Sequence, residues 1–362
     1  MFANKYVKVL KPYPLVSHKA WEIEDKSDIL KLDWNEATVL PSPKVKENIL
    51  NFLENGQLNW YPDVNNKNLL EKLSKYNNIS QENIQYFASS DSLHEYIVRT
   101  FIEPDDRIVI VAPTYDNFRA VVESNGAITD FYDLDENFRL DIEHFTNYLR
   151  LHKPKIVYIC NPNNPTGTLH KKEDIELLVS TFKNIMFIVD EAYYEFIGVS
   201  CKDLVLKHDN ILISRTFSKA FALASFRIGY TISSIKNIEL LTKIRNSKNI
   251  STFSQIAATA VLDDIEYMKN YVKKVLEAKV YFKNELKKLN IKVFDDGGNF
   301  SFLKIDYSIK IKLIKFLEQN NIFVRDYGHV RGMENYLRIT IGTKEQMQKV
   351  IQKIEEFFQN AN

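Results

Sequence analysis

One lysine in the chain has neighbours that favour covalent chemistry. Lys219 follows Thr216-Phe217-Ser218 and precedes a stretch of small and apolar residues that ends near Arg227. An ordinary solvent-exposed lysine is one interpretation. The other is a nucleophilic lysine that forms a Schiff base, because burial and a nearby cation both lower the pKa of an amine. A lysine of the second kind needs further polar groups close to it.

Short apolar runs alternate with helical patterns through the middle of the chain. Near-continuous apolar strands of this kind are typical of a mostly parallel sheet covered by helices on both faces. Ligands of such α/β folds bind at the carboxyl ends of the strands. The predicted strands are residues 108–112, 156–160, 187–190, 211–214 and 228–232.

Four of these strands are ended or followed by a polar residue: Tyr115, Asn164, Asp190 and Lys219. Carboxylates and lysines are rarely buried without partners, so their recurrence at successive strand ends indicates a site rather than packing. Asp190 comes directly after three apolar residues, where its carboxylate needs a cationic or hydrogen-bonding partner. A protonated pyridinium nitrogen is one such partner.

Ser90, Asp91 and Ser92 mark the predicted start of a helix. Their side chains can cap the free N–H groups of the first turn, which is a sufficient reason for these residue types. The same turn, with its free N–H groups and the positive end of the helix dipole, can also bind a phosphate. The residues alone leave both interpretations open.

The C-terminal third predicts a second lobe of α+β type. A long helical pattern over residues 254–289, broken around Asp263-Asp264, connects the lobe to the first one. Arg325 and Arg338 fall on or at the ends of two of its predicted strands. A guanidinium group suits a carboxylate or a phosphate, and a structural ion pair is the competing interpretation.

Composition limits the classes of function. The chain has 362 residues, of which 45% are hydrophobic and 26% charged, and a formal net charge of +1. We therefore expect a soluble protein of two lobes with no nucleic-acid or membrane partner. Two cysteines outside any Cys/His cluster predict neither disulfides nor a metal site, and the absence of an apolar leader favours the cytoplasm.

A set of motifs spread over almost the whole chain resembles, in order, those of the fold type I pyridoxal-phosphate (PLP) aminotransferases. These motifs are Tyr61-Pro62-Asp63, Pro113-Thr114-Tyr115, Asn163-Asn164-Pro165-Thr166-Gly167, Asp190-Glu191-Ala192-Tyr193, Thr216-Phe217-Ser218-Lys219, Arg227 and Leu337-Arg338-Ile339-Thr340. The resemblance implies an α/β fold with a large PLP-binding domain (residues 40–265) and a small α+β domain (residues 1–39 and 266–362).

The resemblance also implies a role for each motif. The catalytic residues would be Lys219, Asp190 and Tyr193, and PLP would be contacted by Ser90, Asp91, Ser92, Tyr115, Asn164, Asp190, Tyr193, Thr216, Ser218, Lys219 and Arg227. Tyr61 would complete the phosphate site from a second subunit, so the family likeness implies a homodimer with shared active sites. Substrates would meet Tyr13, Asn35, Arg325 and Arg338.

Within this superfamily the chain looks most like the histidinol-phosphate aminotransferases of amino-acid biosynthesis. The segments that carry this likeness are Lys11-Pro12-Tyr13, Asn35-Glu36, Arg325-Asp326 and residues 338–343. The implied reaction moves an amino group between glutamate or 2-oxoglutarate and a small phosphorylated substrate, with histidinol phosphate and imidazole acetol phosphate expected first.

Several features depart from that pattern and keep alternatives open. Ser89 and Ser225 occupy positions where relatives usually carry glycine, and residues 17–22 do not match the histidine-pathway enzymes. The alternatives are a transaminase of another phosphorylated ketone or amine and a PLP-dependent decarboxylase of a phosphorylated amino acid. A non-catalytic binding module is a third class, which the presence of both Lys219 and Asp190 disfavours.

Overall fold

The structure is a computed structural model that describes residues 2–12, 19–294 and 297–360. Tyr13, one of the predicted substrate residues, lies outside the described residues. The strands are β1 (Leu30–Leu32), β2 (Ile84–Phe87), β3 (Arg107–Ala112), β4 (Ile128–Asp133), β5 (Ile156–Cys160), β6 (Met186–Asp190), β7 (Ile211–Thr216), β8 (Gly229–Ser233), β9 (Lys292–Phe294), β10 (Phe300–Lys304), β11 (Ile322–Asp326) and β12 (Tyr336–Thr340).

The α-helices alternate with these strands. They are α1 (Lys5–Val9), α2 (Lys19–Glu22), α3 (Pro43–Asn55), α4 (Lys67–Asn77), α5 (Ser90–Phe101), α6 (Asn117–Ser124), α7 (Ile142–His152), α8 (Lys172–Thr181), α9 (Ile235–Ile244), α10 (Thr252–Leu262), α11 (Ile265–Lys288), α12 (Tyr307–Gln319) and α13 (Lys344–Asn360). None of the described helices combines the length and apolar character needed to span a membrane.

A seven-stranded sheet forms the larger layer, in the order β2-β8-β7-β6-β5-β3-β4. Strands β3 to β7 run parallel, whereas β8 pairs antiparallel with both β2 and β7. Every residue of β5 and β7 is buried, as expected for strands with helices on both faces. The mostly parallel α/β sheet predicted from the apolar runs is confirmed.

The carboxyl ends of the central strands are fixed by register and by a buried ion pair. Asp190, the last residue of β6, is paired with Cys160 of β5 on one side and Ser214 of β7 on the other. Next to it, Arg215 Nη2 lies 2.7 Å from Glu191 Oε2, and both side chains are almost fully buried. A buried pair with good geometry holds its elements in one arrangement, so the ends of β6 and β7 are firmly placed.

A five-stranded sheet forms the smaller layer, in the order β1-β11-β12-β10-β9. Strand β1 pairs in parallel with β11, so a segment near the N-terminus joins a sheet built from the C-terminal third. Helices α10 and α11 are separate and meet at Asp263 and Asp264, as predicted from the broken helical pattern. The domain boundaries at residues 39 and 265 stay a prediction.

The described N-terminal residues, 2–12, form an arm that contains the short helix α1. Helix α1 forms there because the Asn4 side chain accepts a hydrogen bond from the N–H of Tyr6. The Tyr6 ring packs against Gly126, where a Cβ would lie within 2.5–2.9 Å of ring atoms. The arm is therefore held by contacts with the large sheet's helical layer that a local pattern does not reveal.

Candidate active site

Lys219 lies three residues beyond the end of β7, facing the loop that follows β1. Its Nζ donates a hydrogen bond of 2.8 Å to the carbonyl oxygen of Trp34 and lies 5.9 Å from the centre of the Tyr193 ring. Burial, followed by the positive charge of Arg338, lowers the pKa of Lys219 from 10.5 to about 8. An amine with such a pKa is partly unprotonated near neutral pH, so it can act as a nucleophile and proton acceptor.

Asp190 is held at the bottom of the site by several donors. Its Oδ2 accepts a hydrogen bond of 2.7 Å from the Tyr158 hydroxyl, and its Oδ1 accepts one of 3.1 Å from the N–H of Ala192. The imidazole Nε2 of His94 lies 3.7 Å from Oδ2. Burial raises the pKa of the Asp190 carboxyl, and His94, Tyr158 and the N–H of Ala192 oppose this shift. The carboxylate still has acceptor capacity for a cationic ligand.

The start of α5, which was predicted to bind a phosphate, lies in the same region. Ser89 is the N-cap, and its side chain and carbonyl accept hydrogen bonds from the N–H groups of Ser92 and Leu93. The N–H groups of Ser90 and Asp91 have no acceptor among the described residues. Gly229 packs against this turn so closely that a Cβ would lie 2.8 Å from the Ser90 nitrogen. Two free N–H groups at a helix start are suited to a phosphate.

Asp91 joins this helix start to two other predicted cofactor residues. Its Oδ1 accepts hydrogen bonds from the Tyr115 hydroxyl (2.9 Å) and from Asn117, and its Oδ2 lies 3.1 Å from Arg227 Nη2. Arg227 is half exposed, so its guanidinium is accessible to an anion as well. The Thr216 and Ser218 hydroxyls, also predicted to contact the cofactor, lie 3.0 Å apart.

Two contacts join the small lobe to the large sheet across the site. Asn35 Nδ2 donates a hydrogen bond of 2.9 Å to the Tyr193 hydroxyl, and Arg338 Nη1 donates one of 2.6 Å to Asn164 Oδ1. Burial raises the pKa of the Tyr193 hydroxyl well above its ordinary value, so it remains a proton donor. Asn164 keeps its amide N–H₂ as a donor because Arg338 uses only its oxygen.

Arg325 and Arg338 are both buried in the small sheet, with 6% and 5% exposure. Arg338 also donates to the carbonyl oxygen of Asp33 and to the Tyr327 hydroxyl. Its Nε has no hydrogen-bond partner. In the described part of the chain, no carboxylate lies within ion-pair distance of either arginine. A buried cation without a counter-charge is costly, so this pair is suited to an anionic ligand.

Most of the predicted site residues thus lie together, on the adjoining edges of the two sheets. Tyr61 is different: its side chain is 78% exposed, and its ring lies 4.9 Å from Lys248 Nζ. The sequence reading missed Trp34, His94, Tyr158 and Tyr327, all of which contact predicted site residues. His94 could have been found from its position four residues after Ser90, on the same face of α5.

The groups present fit PLP at both ends. The donors around Asp91 and Arg227, together with the free N–H groups of α5, would hold a phosphate. Asp190 provides a buried carboxylate for the ring nitrogen, and Lys219 provides an amine of lowered pKa for the aldehyde. The N–H groups of Ser90 and Asp91 lie in the first turn of α5, where a helix leaves its N–H groups free and can bind an anion.

Comparisons with known proteins agree with this fit. Residues 27–354 match the family model for aminotransferase class I and II. The chain is 46% identical to the dihydroxyacetone phosphate transaminase of Campylobacter jejuni, over 99% of this chain and 97% of that protein. It is 33% identical to the histidinol-phosphate aminotransferase of Ruminiclostridium cellulolyticum, over 88% and 89% of the two chains.

The fold has a close counterpart among solved structures. The histidinol-phosphate aminotransferase of Sinorhizobium meliloti, in complex with pyridoxal-5'-phosphate, superposes with a TM-score of 0.90 at 24% identity, over 100% of this chain and 98% of that one. At 24% identity, this structural likeness supports the fold and no further property of the chain. With the family match and the relatives of higher identity, it leads to one assignment: the chain belongs to the aminotransferase class I and II family and is a PLP-dependent aminotransferase of fold type I.

Proposed function

We propose that this enzyme moves an amino group between glutamate and a small phosphorylated ketone. The observation that carries the proposal is the buried pair Arg325 and Arg338, which has no carboxylate partner among the described residues. A phosphomonoester has a charge of about −1.5 to −2 near neutral pH, which matches two guanidinium groups better than a single carboxylate does. The groups that accept hydrogen bonds from Arg338 are all uncharged: the Asn164 amide oxygen, the Tyr327 hydroxyl and the Asp33 carbonyl oxygen.

Dihydroxyacetone phosphate is the acceptor that we place first. The sequence resemblance predicts histidinol phosphate and imidazole acetol phosphate as the first substrates, with another phosphorylated ketone or amine as the alternative. The relative at 46% identity is named a dihydroxyacetone phosphate transaminase, whereas the histidinol-phosphate relative is 33% identical. Both are named as enzymes of amino transfer, which favours that reaction over decarboxylation. The alternative is therefore preferred to the first expectation.

The chain's own groups have distinct tasks in this reaction. A bound PLP supplies an aldehyde that reacts with amines and a ring that withdraws electrons from the substrate. Lys219 Nζ, with a pKa of about 8, would take a proton from the substrate carbon that bears the nitrogen. It would then deliver the proton to the carbon that was the aldehyde carbon of the cofactor. Asp190 would keep the ring nitrogen protonated, which makes the ring a better electron acceptor.

Substrate orientation would come from the small lobe. Arg338 would bind the carboxylate of glutamate, and Arg338 and Arg325 together would bind the phosphate of the ketone. The hydrogen bond between Asn35 and Tyr193 would hold the small sheet in place near Lys219. Arg338 is hydrogen-bonded to Asn164, so the arginine that would bind the substrate is directly linked to a residue that would contact the cofactor. Tyr115 would cover a face of the ring.

We also propose that the enzyme is a homodimer in which Tyr61 of the partner subunit reaches the phosphate site. Support comes from a group of exposed apolar side chains on α3 and in the turn after it. Their exposed fractions are 47% for Leu50, 46% for Leu53, 57% for Leu58, 71% for Trp60 and 78% for Tyr61. Large exposed apolar side chains that recur along one helix and the turn after it are typical of a subunit interface.

The acceptor is tested by offering phosphorylated ketones with glutamate and measuring 2-oxoglutarate. We expect the kcat/KM for dihydroxyacetone phosphate to exceed that for imidazole acetol phosphate. A higher kcat/KM for imidazole acetol phosphate would favour a histidinol-phosphate aminotransferase instead. Release of CO₂ from a phosphorylated amino acid, with no 2-oxoglutarate formed in any mixture, would replace the transaminase proposal by the decarboxylase.

A further inference from the structure

His94 is a buried histidine that has no evident structural task. Its side chain is fully buried on α5, and neither ring nitrogen has a hydrogen-bond partner in the described structure. The ring packs edge-on against Phe118 and Tyr158, with ring centres 5.4 and 5.7 Å apart. A leucine or phenylalanine would fill such a space without orphaned nitrogens, so the imidazole needs another explanation.

Among the described residues, the carboxylate within ion-pair distance of the His94 ring is that of Asp190. His94 Nε2 lies 3.7 Å from Asp190 Oδ2, which already accepts a hydrogen bond from Tyr158. Closing this gap to an ordinary N–H···O distance of roughly 2.9 Å needs a shift smaller than 1 Å.

The position of His94 on α5 connects this contact with the start of the helix, where the cofactor phosphate is expected. It lies four residues after Ser90, so both residues are on one face of α5. The start of α5 has the free N–H groups suited to the cofactor phosphate, and the next turn supports the carboxylate suited to the ring nitrogen. One rigid element thus reaches both ends of the cofactor site.

We propose that His94 is a positioning residue that donates a hydrogen bond from Nε2 to Asp190 and so keeps that carboxylate ionised opposite the ring nitrogen of bound PLP. This inference rests on the proposed role of Asp190. The other titratable groups that act on Asp190 or are acted on by it are Tyr158, Cys160 and Asp91.

Loss of the donor changes where one proton lies. Without His94, the charged form of Asp190 is less well solvated, so the proton on the ring nitrogen moves to the Asp190 carboxylate. Pyridinium and carboxylate become pyridine and carboxylic acid, with no change in total charge. The neutral ring withdraws electrons less strongly, so proton removal from the substrate slows.

The test uses holoenzyme loaded with PLP that is labelled with nitrogen-15 at the ring nitrogen. The NMR shift of this nitrogen distinguishes the protonated from the neutral ring without reference to activity. We expect the wild-type shift to stay at the protonated value between pH 6 and 9, and the shift of His94→Phe to move toward the neutral value. His94→Gln, whose amide N–H₂ can replace Nε2, should restore the wild-type shift. We also expect kcat to fall roughly tenfold or more in His94→Phe, as for one hydrogen bond to a charged group.

Two further variants separate the possible outcomes. Phe118→Leu loosens the packing around His94 without removing a polar group, and should lower the melting temperature and leave the nitrogen-15 shift unchanged. If His94→Phe behaves in the same way, His94 serves core packing and the proposal is wrong. Asp190→Asn should move the shift by itself. If neither Asp190→Asn nor His94→Phe moves it, the proposed role of Asp190 fails, and a response of Asp190→Asn alone overturns only the role of His94.

Discussion

Arg325 and Arg338 lie directly opposite each other on the antiparallel strands β11 and β12. Like charges in this position destabilise a strand pair, and burial increases the cost of each charge. Their guanidinium groups share Tyr327, whose ring centre lies 6.0 Å from Arg325 Cζ and 5.7 Å from Arg338 Cζ. Such a pair is best explained by a ligand that brings negative charge.

The two arginines should differ in what they bind. Arg338→Ala is expected to weaken both glutamate and the phosphorylated ketone, whereas Arg325→Ala should weaken mainly the ketone. Each charge-assisted contact is worth about 1.5–3 kcal/mol, or roughly ten- to over a hundredfold in kcat/KM. The measurement is kcat/KM for each half-reaction.

Arg331→Ala is the matched control, because Arg331 is an exposed arginine in the loop that follows β11. It should leave both half-reactions near the wild-type rates. Equal losses for the two substrates in Arg325→Ala would mean that this arginine serves the structure of the small sheet.

The lowered pKa of Lys219 predicts how the apoenzyme takes up its cofactor. Only the unprotonated amine attacks the aldehyde, so the rate of attachment should rise with pH and level off above a midpoint near pH 8, not near 10.5. Arg338→Leu removes a neighbouring cation that lowers this pKa, so its midpoint should lie at higher pH. Absorbance after mixing PLP with apoenzyme measures both midpoints.

Borohydride reduction of the same samples identifies the lysine. Peptide mapping should place the label on Lys219, and a label elsewhere would show that another amine binds the cofactor. An unchanged midpoint in Arg338→Leu would mean that burial alone lowers the pKa.

Much of the fold could be read from the sequence because its signals are local. Apolar runs predicted the central strands, and the charged pair at Asp263 and Asp264 predicted where the long helical pattern breaks. Strand β4 was missed because its residues are mostly exposed or half-buried and do not form an apolar run. The antiparallel direction of β8 depends on its partners β2 and β7 and has no local signature.

The site could be predicted only where chemistry requires unusual residue types. Lys219, Asp190, Asn164 and Tyr115 stand out because polar groups end apolar strands. The spacing from Ser90 places His94 on one face of α5 but does not identify its partner, and Tyr158 does not stand out, since an aromatic ring inside a buried strand has an ordinary explanation. Their meaning comes from their distances to Asp190, which depend on how α5 packs on β5 and β6.

Replacing Ser89 by glycine is expected to stabilise the protein. Its backbone has φ 95° and ψ 164°, a region that is essentially restricted to glycine and costs other residues about 1–3 kcal/mol. Ser89→Gly relieves that strain, loses a few tenths of a kcal/mol as a cap, and makes the unfolded chain more flexible. We expect a net stabilisation of about 1 kcal/mol in the free energy of unfolding of the apoenzyme.

Ser89→Ala is the control for that experiment. It keeps the strain and loses the cap on Ser92, so it should destabilise the apoenzyme by about 1 kcal/mol. Denaturant unfolding of the three proteins gives the order. A Ser89→Gly variant less stable than the wild type would show that the serine cap outweighs the backbone strain.

The proposed sharing of sites between subunits predicts complementation. Tyr61→Phe lacks the phosphate contact that one subunit gives to the other, and Lys219→Ala lacks the reactive amine of its own site. A mixed dimer should contain one site with both Lys219 and Tyr61 intact, so mixing two weakly active proteins should raise the activity. Heterodimers that form without any gain would show that Tyr61 does not act across the interface.

The central claim is that this aminotransferase selects its acceptor by a phosphate bound between Arg325 and Arg338. Its most direct test starts with holoenzyme that glutamate has converted to the amine form of the cofactor, and follows the return of the absorbance in a single turnover. We predict that dihydroxyacetone phosphate reacts at least roughly tenfold faster than dihydroxyacetone at the same subsaturating concentration, and that Arg325→Ala removes most of this preference. Equal rates for the two ketones with the wild-type enzyme would contradict the claim.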